Sequence, residues 1–279
     1  MNLYSIEAGF FKLDGGAMFG VVPKAIWNKI NPADESNLCS WATRCLLIQE
    51  GNRLVLVDTG IGEKQDAKFL RHYYLHGEDS LEKSLNKAGF SKDDITDVIL
   101  THLHFDHCGG AISREGDKFV PGFKNAVYWT NEQHWYWALH PNDREKASFL
   151  KENILPLQES GRLRYIEVSN LARFTENISI RFVFGHTQAM MIPQINYRGK
   201  TVVYVADLFP SAGHVPIPYV ASYDVHPLKT MVEKKDFLAE ACRNKYILFL
   251  EHDAVNECCT VVETEKGIRV SECFSLSKI

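Results

Sequence analysis

The sequence predicts a mixed α and β fold, rich in strands with interspersed helices, in which residues 1–279 form one domain of two similar halves. Three observations predict it. Strand-like and helix-like segments alternate along the chain, that order runs through twice, and no Pro/Gly/Ser-rich linker or low-complexity tract divides the two runs. The halves are expected to meet near residues 155–170. A chain of 279 residues can bury a substantial core. Its 45% hydrophobic and 24% charged content is ordinary for a globular protein.

Residues 2–13 alternate apolar and polar and predict a short hairpin, closed by the turn signal Asp14-Gly15-Gly16. The apolar stretch Ala17–Trp27 has no clean period, and reads equally as core packing or as a lid over a pocket. Strands are expected over 44–49 and 53–57, joined by Glu50-Gly51-Asn52 and ending in Asp58-Thr59-Gly60. Helical patterns follow over 64–76 and 80–88, with Gly89 as a C-cap, and Ser91 with Asp94 makes a capped turn before a strand at 97–101. Beyond, 126–129 reads as a strand, and Thr130 with Gln133 as a capping box opening a helix to Leu139. A helix is expected over 143–155, then strands near 162–168, 178–184, 194–197 and 201–206. A helix over 227–243 and strands at 246–250, 258–264 and 267–274 complete the chain.

The totals exclude several classes. A formal net charge of -4, with no Lys/Arg run longer than Lys234-Lys235, argues against a nucleic-acid surface. Seven cysteines without short repeated spacing do not make a disulfide framework. The N-terminus has no basic region followed by an apolar core, and no stretch is long enough to span a bilayer. A cytoplasmic protein with no membrane partner is expected; a homodimer stays open.

The chemistry concentrates in Thr101-His102-Leu103-His104-Phe105-Asp106-His107, entered from the apolar run Val98-Ile99-Leu100. Three imidazoles and a carboxylate lie within six positions, and each can offer a lone pair to a cation. Alternation puts 102 and 104 on one side of an extended segment, while Asp106 and His107 need the chain to turn. Gly109-Gly110 marks that turn and is expected to free the backbone to start a helix behind the ligands. The bland alternative is a His-rich surface loop, which would need no partners elsewhere. Partners are present: Gly185-His186-Thr187, Asp207 and Glu251-His252-Asp253 each stand at the downstream end of an expected strand. The set then holds five His and two Asp, enough for two metals sharing one carboxylate.

At this point the sequence resembles the metallo-β-lactamase superfamily over most of its length. The pattern His-x-His-x-Asp-His, then a His after a Gly, an Asp and a late His, stands here as His102, His104, Asp106, His107, His186, Asp207 and His252. Asp58-Thr59-Gly60 resembles the family's upstream turn, whose Asp supports the ligands from behind without binding metal. The resemblance implies the metallo-β-lactamase fold, an α+β four-layer αβ/βα sandwich with the metals at one edge. It implies one metal on His102, His104 and His186, another on Asp106, His107 and His252, and Asp207 bridging. Zinc suits these ligands, and iron, manganese or cobalt could occupy them. Two such ions roughly 3.5–4 Å apart would hold a bridging hydroxide at neutral pH, with Asp106 as the catalytic group that orients it or moves its proton.

The expected protein is therefore a dinuclear metal-dependent hydrolase cleaving a lactone, ester or phosphoester of a small molecule. It looks closest to the lactonase and organophosphate-hydrolase branch. The lactonases place a Tyr three positions after the bridging Asp, where this chain has Pro210, and His186 is followed by Thr187-Gln188-Ala189-Met190 instead of Thr-Pro-Gly-His. His214, Tyr223 and His226 are the candidates for substrate contact, although both histidines lack a position in the motif set and so also read as surface or satisfied core residues. Cys108 is assigned to packing, and His72, His76, His134 and His140 to surface or satisfied core positions. The alternative from another class is a metal-binding, non-catalytic sensor or assembly protein of the same fold.

Overall fold

The computed structural model describes residues 1–279. Strands β1 (Asn2–Asp14) and β2 (Leu38–Glu50) pair antiparallel along their lengths, so residues 2–13 form one strand and not the expected hairpin. What looked like a turn is a bulge between Glu7 and Phe10, where Gly9 adopts φ 112°. Between these strands lie two short helices, α1 (Gly15–Phe19) and α2 (Lys24–Trp27). Asp14 caps the first by accepting from Ala17 N at 2.8 Å. Met18, Phe19, Val22 and Trp27 are buried with Phe11, Trp41 and Phe105, while Val21 is 89% exposed. The segment is thus anchored by a small core of its own.

The chain continues through β3 (Arg53–Val57), α3 (Ala67–Tyr73), α4 (Leu81–Lys87) and β4 (Asp97–Ile99). The capping box of Ser91 and Asp94 forms as expected. α3 starts three residues later than the pattern suggested because Asp66 caps it, accepting from Phe69 N. No helix follows Gly109-Gly110. The single turn α5 (Phe105–Cys108) precedes them and itself carries Asp106 and His107. An unanticipated hairpin, β5 (Ile112–Glu115) and β6 (Lys118–Pro121), comes next. After β7 (Val127–Thr130), α6 (Glu132–Leu139) is capped by Asn131, not Thr130, which is spent as the last residue of the strand.

The helix expected over 143–155 is shifted to α7 (Lys151–Glu159). Residues 142–145 are held as a turn by Asn142 Oδ1, which accepts from Arg144 N and Glu145 N at 2.9 and 3.1 Å. The second half contains β8 (Leu163–Tyr165), β9 (Ala172–Arg173), β10 (Ile178–Val183), β11 (Met190–Tyr197) and β12 (Lys200–Tyr204). It closes with α8 (Pro227–Asn244), β13 (Ile247–Phe249), β14 (Cys258–Thr264) and β15 (Gly267–Phe274).

The strands form two mixed sheets, ordered β1-β2-β3-β4-β7-β8 and β15-β14-β13-β12-β11-β10-β9. Alternation along β2 and β3 decides the layering. Leu46, Ile48, Val55 and Val57 join Ile195, Val202, Tyr204 and Phe249 in a core between the sheets, where Tyr204 OH donates to Arg44 O at 3.0 Å. Their neighbours Leu47, Leu54 and Leu56 face the other way, onto Leu85, Trp135, Ile154 and Leu157 of the helices. α8 covers the second sheet with Phe237, Leu238 and Ala241. The result is a helix–sheet–sheet–helix sandwich in which each buried Leu or Ile contributes roughly 1.5–3 kcal/mol. β3, β4, β7 and β8 run parallel, as do β12 and β13. Their downstream ends therefore open on one edge, where loop residues from both sheets meet.

Candidate metal centre

Asp58, Thr101–His107, His186, Asp207 and Glu251-His252 all stand just past strand ends on that edge. All seven sequence-predicted ligands converge there. His102, His104, His186 and Asp207 form one group able to hold a metal ion, and Asp106, His107 and His252 another. Asp207 lies between the two: its Oδ2 is 3.1 Å from His186 Nε2 and 3.4 Å from His107 Nε2, and its Oδ1 is 3.2 Å from His252 Nε2. Asp106 is the least enclosed of the seven, its side chain 13% exposed, with Oδ2 4.0 Å from His107 Nε2 and 3.8 Å from His252 Nε2.

The far nitrogen of each imidazole is engaged, and this sets which nitrogen carries the proton. His252 Nδ1 donates to Ala42 O at 2.7 Å, His186 Nδ1 to Asp224 at 2.8 Å and His104 Nε2 to Glu145 at 3.1 Å. His107 Nδ1 donates to Asp58 at 3.1 Å and also lies 3.0 Å from Glu251. Thr101 Oγ1 gives its proton to Asp58 Oδ2 at 2.6 Å, so it accepts from His102 Nδ1 at 3.1 Å. In the neutral form all five inward nitrogens then present lone pairs. They do so at short range: 3.1 Å from His102 to His104, 3.2 Å from His186 to His104, and 3.1 Å from His107 to His252. Lone pairs facing each other repel, and Asp207 Oδ1 is buried without a hydrogen-bond partner. This donor set fits divalent cations and is poorly satisfied otherwise.

The electrostatics agree. Burial alone would lower the imidazoles, but Asp207 and Asp224 raise His186 to about 10, and Asp207 raises His252 to about 9. Burial would raise Asp207; His252, His186 and His107 outweigh it and hold its carboxyl well below the usual range. His102, buried among other imidazoles, is pushed well below its ordinary value.

Several placements differ from the sequence reading. His214 does not face open space. It is fully buried, stacked on Phe19 with ring centroids 4.3 Å apart, and bonded to Met18 O at 3.0 Å and Ser211 Oγ at 2.8 Å. Its role is to tie α1 to the 211–214 turn. The His226 ring is exposed at the start of α8, and only its backbone N–H reaches the site, donating to Gly185 O. Tyr223 is exposed, at 40%, yet desolvation of its phenol and the nearby charge of Asp106 push it up to about 12. Cys108 is buried with its thiol on Leu103 O. His134 is a satisfied core residue that pins the motif, accepting from Leu103 N at 2.8 Å.

Three carboxylates that touch the imidazoles were not singled out: Glu145, Asp224 and Glu251. Glu251 had a signal, as the residue before His252 at a strand end. Glu145 and Asp224 had none, because each reaches its histidine across 41 and 38 positions of chain. The motif's backbone is seated by close contact of glycines. A Cβ at Gly109 would stand 1.9 Å from Ile61 O, and Gly110 N donates to Gly60 O at 2.9 Å.

Residues 41–252 match the metallo-beta-lactamase superfamily, so the chain belongs to that family and is a metal-dependent hydrolase of it. It is 25% identical to an N-acyl homoserine lactonase of Bacillus thuringiensis and 28% identical to one of Bacillus cereus, over 96% of each chain in both cases. Among solved structures it resembles a probable metal-dependent hydrolase from Staphylococcus aureus, at 28% identity and TM-score 0.88, covering 98% of this chain and 96% of that one. It shares its fold with AidC, a dizinc quorum-quenching lactonase in complex with a product, at 21% identity and TM-score 0.80, over 98% and 95% of the two chains.

Proposed function

We propose that this protein holds two divalent ions, zinc by preference, and hydrolyses a lactone, ester or phosphoester of a small molecule, with lactones the first class to test. The observation that supports it most directly is the convergence of five imidazole lone pairs on Asp207 from both sheets. In this reading His102, His104 and His186 hold one ion, Asp106, His107 and His252 the other, and Asp207 bridges. Ions so placed supply Lewis acidity and bring a water's pKa to about 7. Asp58 keeps its place behind His107 and fixes that ring's tautomer through the bonds described above.

The protein's own groups do the rest. Asp106, on the open side, is the group to take the proton given up by the attacking water and return it to the leaving oxygen. Phe105 packs with Tyr73 and Phe69, ring centroids 4.6 and 5.4 Å apart, and forms an apolar wall that excludes bulk water beside Asp106. Tyr223 stands near Asp106 and offers a phenol to a substrate oxygen, a donor that Pro210 cannot provide. Relatives named as N-acyl homoserine lactonases place lactones ahead of phosphoesters as substrates. We read residues 1–279 as one domain, because the inter-sheet core draws on both halves. We assign the cytoplasm on the seven free cysteines.

The test is metal content and turnover of purified protein across a panel of lactones, esters and phosphoesters. Two equivalents of metal with lactone turnover are expected. Asp207→Ala should lower the metal stoichiometry and the rate together. An unchanged stoichiometry refutes the bridge, and a fully loaded protein that turns over nothing in the panel yet binds a metabolite tightly refutes catalysis.

A further inference from the structure

Behind the metal motif lies a cavity of about 500 Å³ that none of the seven candidate ligands lines. Its floor is the back of the glycine seam, with Thr59, Gly62 and Gly110 in its wall. Phe10, Ile61, Leu75, Leu81 and Ile112 give it an apolar side. Three cations line it as well: Lys64, Lys92 and Arg114.

The cations differ in how they are matched. Lys92 has Glu82 at 3.4 Å and Arg114 has Asp117 at 3.9 Å. Lys64 is 7% exposed and forms no ion pair, and its Nζ donates a single hydrogen bond, to Gly109 O. An ammonium carries three donors, and a buried one without countercharge or acceptors is costly. Burial lowers Lys64 to about 8, which leaves it charged at neutral pH. With Lys92 matched by Glu82 and Arg114 by Asp117, Lys64 is the one cation of the wall that no carboxylate reaches within ion-pair distance. The His76 ring, also in the wall, is tied at both nitrogens, Nδ1 to Tyr74 O at 2.8 Å and Nε2 to Ser40 Oγ at 2.7 Å.

We propose that this cavity is a second ligand site, separate from the metal centre, that takes a small monoanion with an apolar body, of the fatty-carboxylate kind, through Lys64. The one unpaired ammonium, with two donors left free, matches one carboxylate, and the nearby Glu63 and Glu82 disfavour polyanions such as inorganic phosphate. The apolar side receives the hydrocarbon. The proposal does not rest on the hydrolase reading, since binding here needs no turnover.

The experiment is calorimetric titration of octanoate into the metal-loaded full chain, with octanol and inorganic phosphate as controls. Lys64→Met removes the charge, and Leu75→Trp fills the cavity from its partly exposed rim. Each is expected to weaken one octanoate binding event at least tenfold, while Asp106→Asn leaves that event in place. Octanol and phosphate are expected to give no comparable heat. If Lys64→Met fails to fold by circular dichroism, Leu75→Trp carries the test. The proposal is overturned if neither variant changes octanoate binding, if the only event is lost in Asp106→Asn, or if octanol binds as tightly as octanoate.

Discussion

Replacing Glu145 by Gln changes one atom of a buried carboxylate and should weaken one metal position far more than the other. Glu145 Oε1 accepts from His104 Nε2 at 3.1 Å, while Oε2 accepts from Trp137 Nε1 at 2.6 Å and Asn142 Nδ2 at 3.0 Å. Burial opposes the charge, but His104 and the other donors hold Glu145 down to about 2, so it is ionised at any working pH. A Gln side chain has only one acceptor oxygen. With two donors on the Oε2 side, that oxygen turns to Trp137 and Asn142, and the amide NH₂ faces His104. The imidazole can meet an NH₂ only by accepting at Nε2, which moves its proton to Nδ1, the atom that faces His102 and His186. Binding metal then requires reversing that tautomer and losing a charge-assisted bond, a cost of about 2–3 kcal/mol. At about 1.4 kcal/mol per decade this is roughly 30–140-fold in affinity. The group of Asp106, His107 and His252 does not touch Glu145 and should bind as before. Competition with a chromophoric chelator resolves the two affinities. A folded Glu145→Gln protein with both affinities unchanged, or both lowered equally, refutes the reasoning.

Metal uptake should release protons. His186 and His252, raised to about 10 and 9, and His107, held against burial well above the usual imidazole range by Glu251, Asp207 and Asp106, are protonated at pH 7 in the metal-free protein. Loading should therefore expel about three protons, seen as a dependence of the heat on buffer ionisation enthalpy. Affinity should therefore fall as pH falls, and no proton release would contradict the arrangement. Because the folded values of His186 and His252 lie above the usual imidazole range, their stabilisation of the metal-free protein is full below about pH 6.5 and lost as pH rises through 9 to 10. Gly109→Ala forces a methyl to 1.9 Å from Ile61 O and must part the 59–62 segment from the motif. A loss of about 3 kcal/mol or more is expected from urea unfolding, and a loss under about 1 kcal/mol would show that the seam can relax.

Chemistry that is local in the chain was legible, and chemistry that crosses it was not. His102, His104, Asp106 and His107 crowd into six positions, and His186, Asp207 and His252 each follow an apolar run, so the seven could be picked out without coordinates. The reading faltered where one pattern admits two structures. A bulge at Gly9 and a hairpin turn both interrupt alternation, and only pairing with β2 along its length made residues 2–14 a single strand. Asn142 and Glu145 sit in a helical pattern, yet their side chains serve the backbone of a turn and His104, which halted the helix until Lys151.

His214 shows the limit most plainly. Its position between Asp207 and His252 suggested a substrate contact, but Met18 O and Ser211 take both nitrogens and Phe19 covers the ring. By itself the sequence determined the alternation of strands and helices and the donor set, because these depend on residue type and spacing along the chain, and the sandwich followed only through the family resemblance that those residues carry. Tertiary structure alone decided which nitrogen of each histidine faces inward, which carboxylates stand behind them and where Lys64 is buried. Those depend on hydrogen bonds between residues that meet only when the two sheets pack, and a linear spacing carries no record of them.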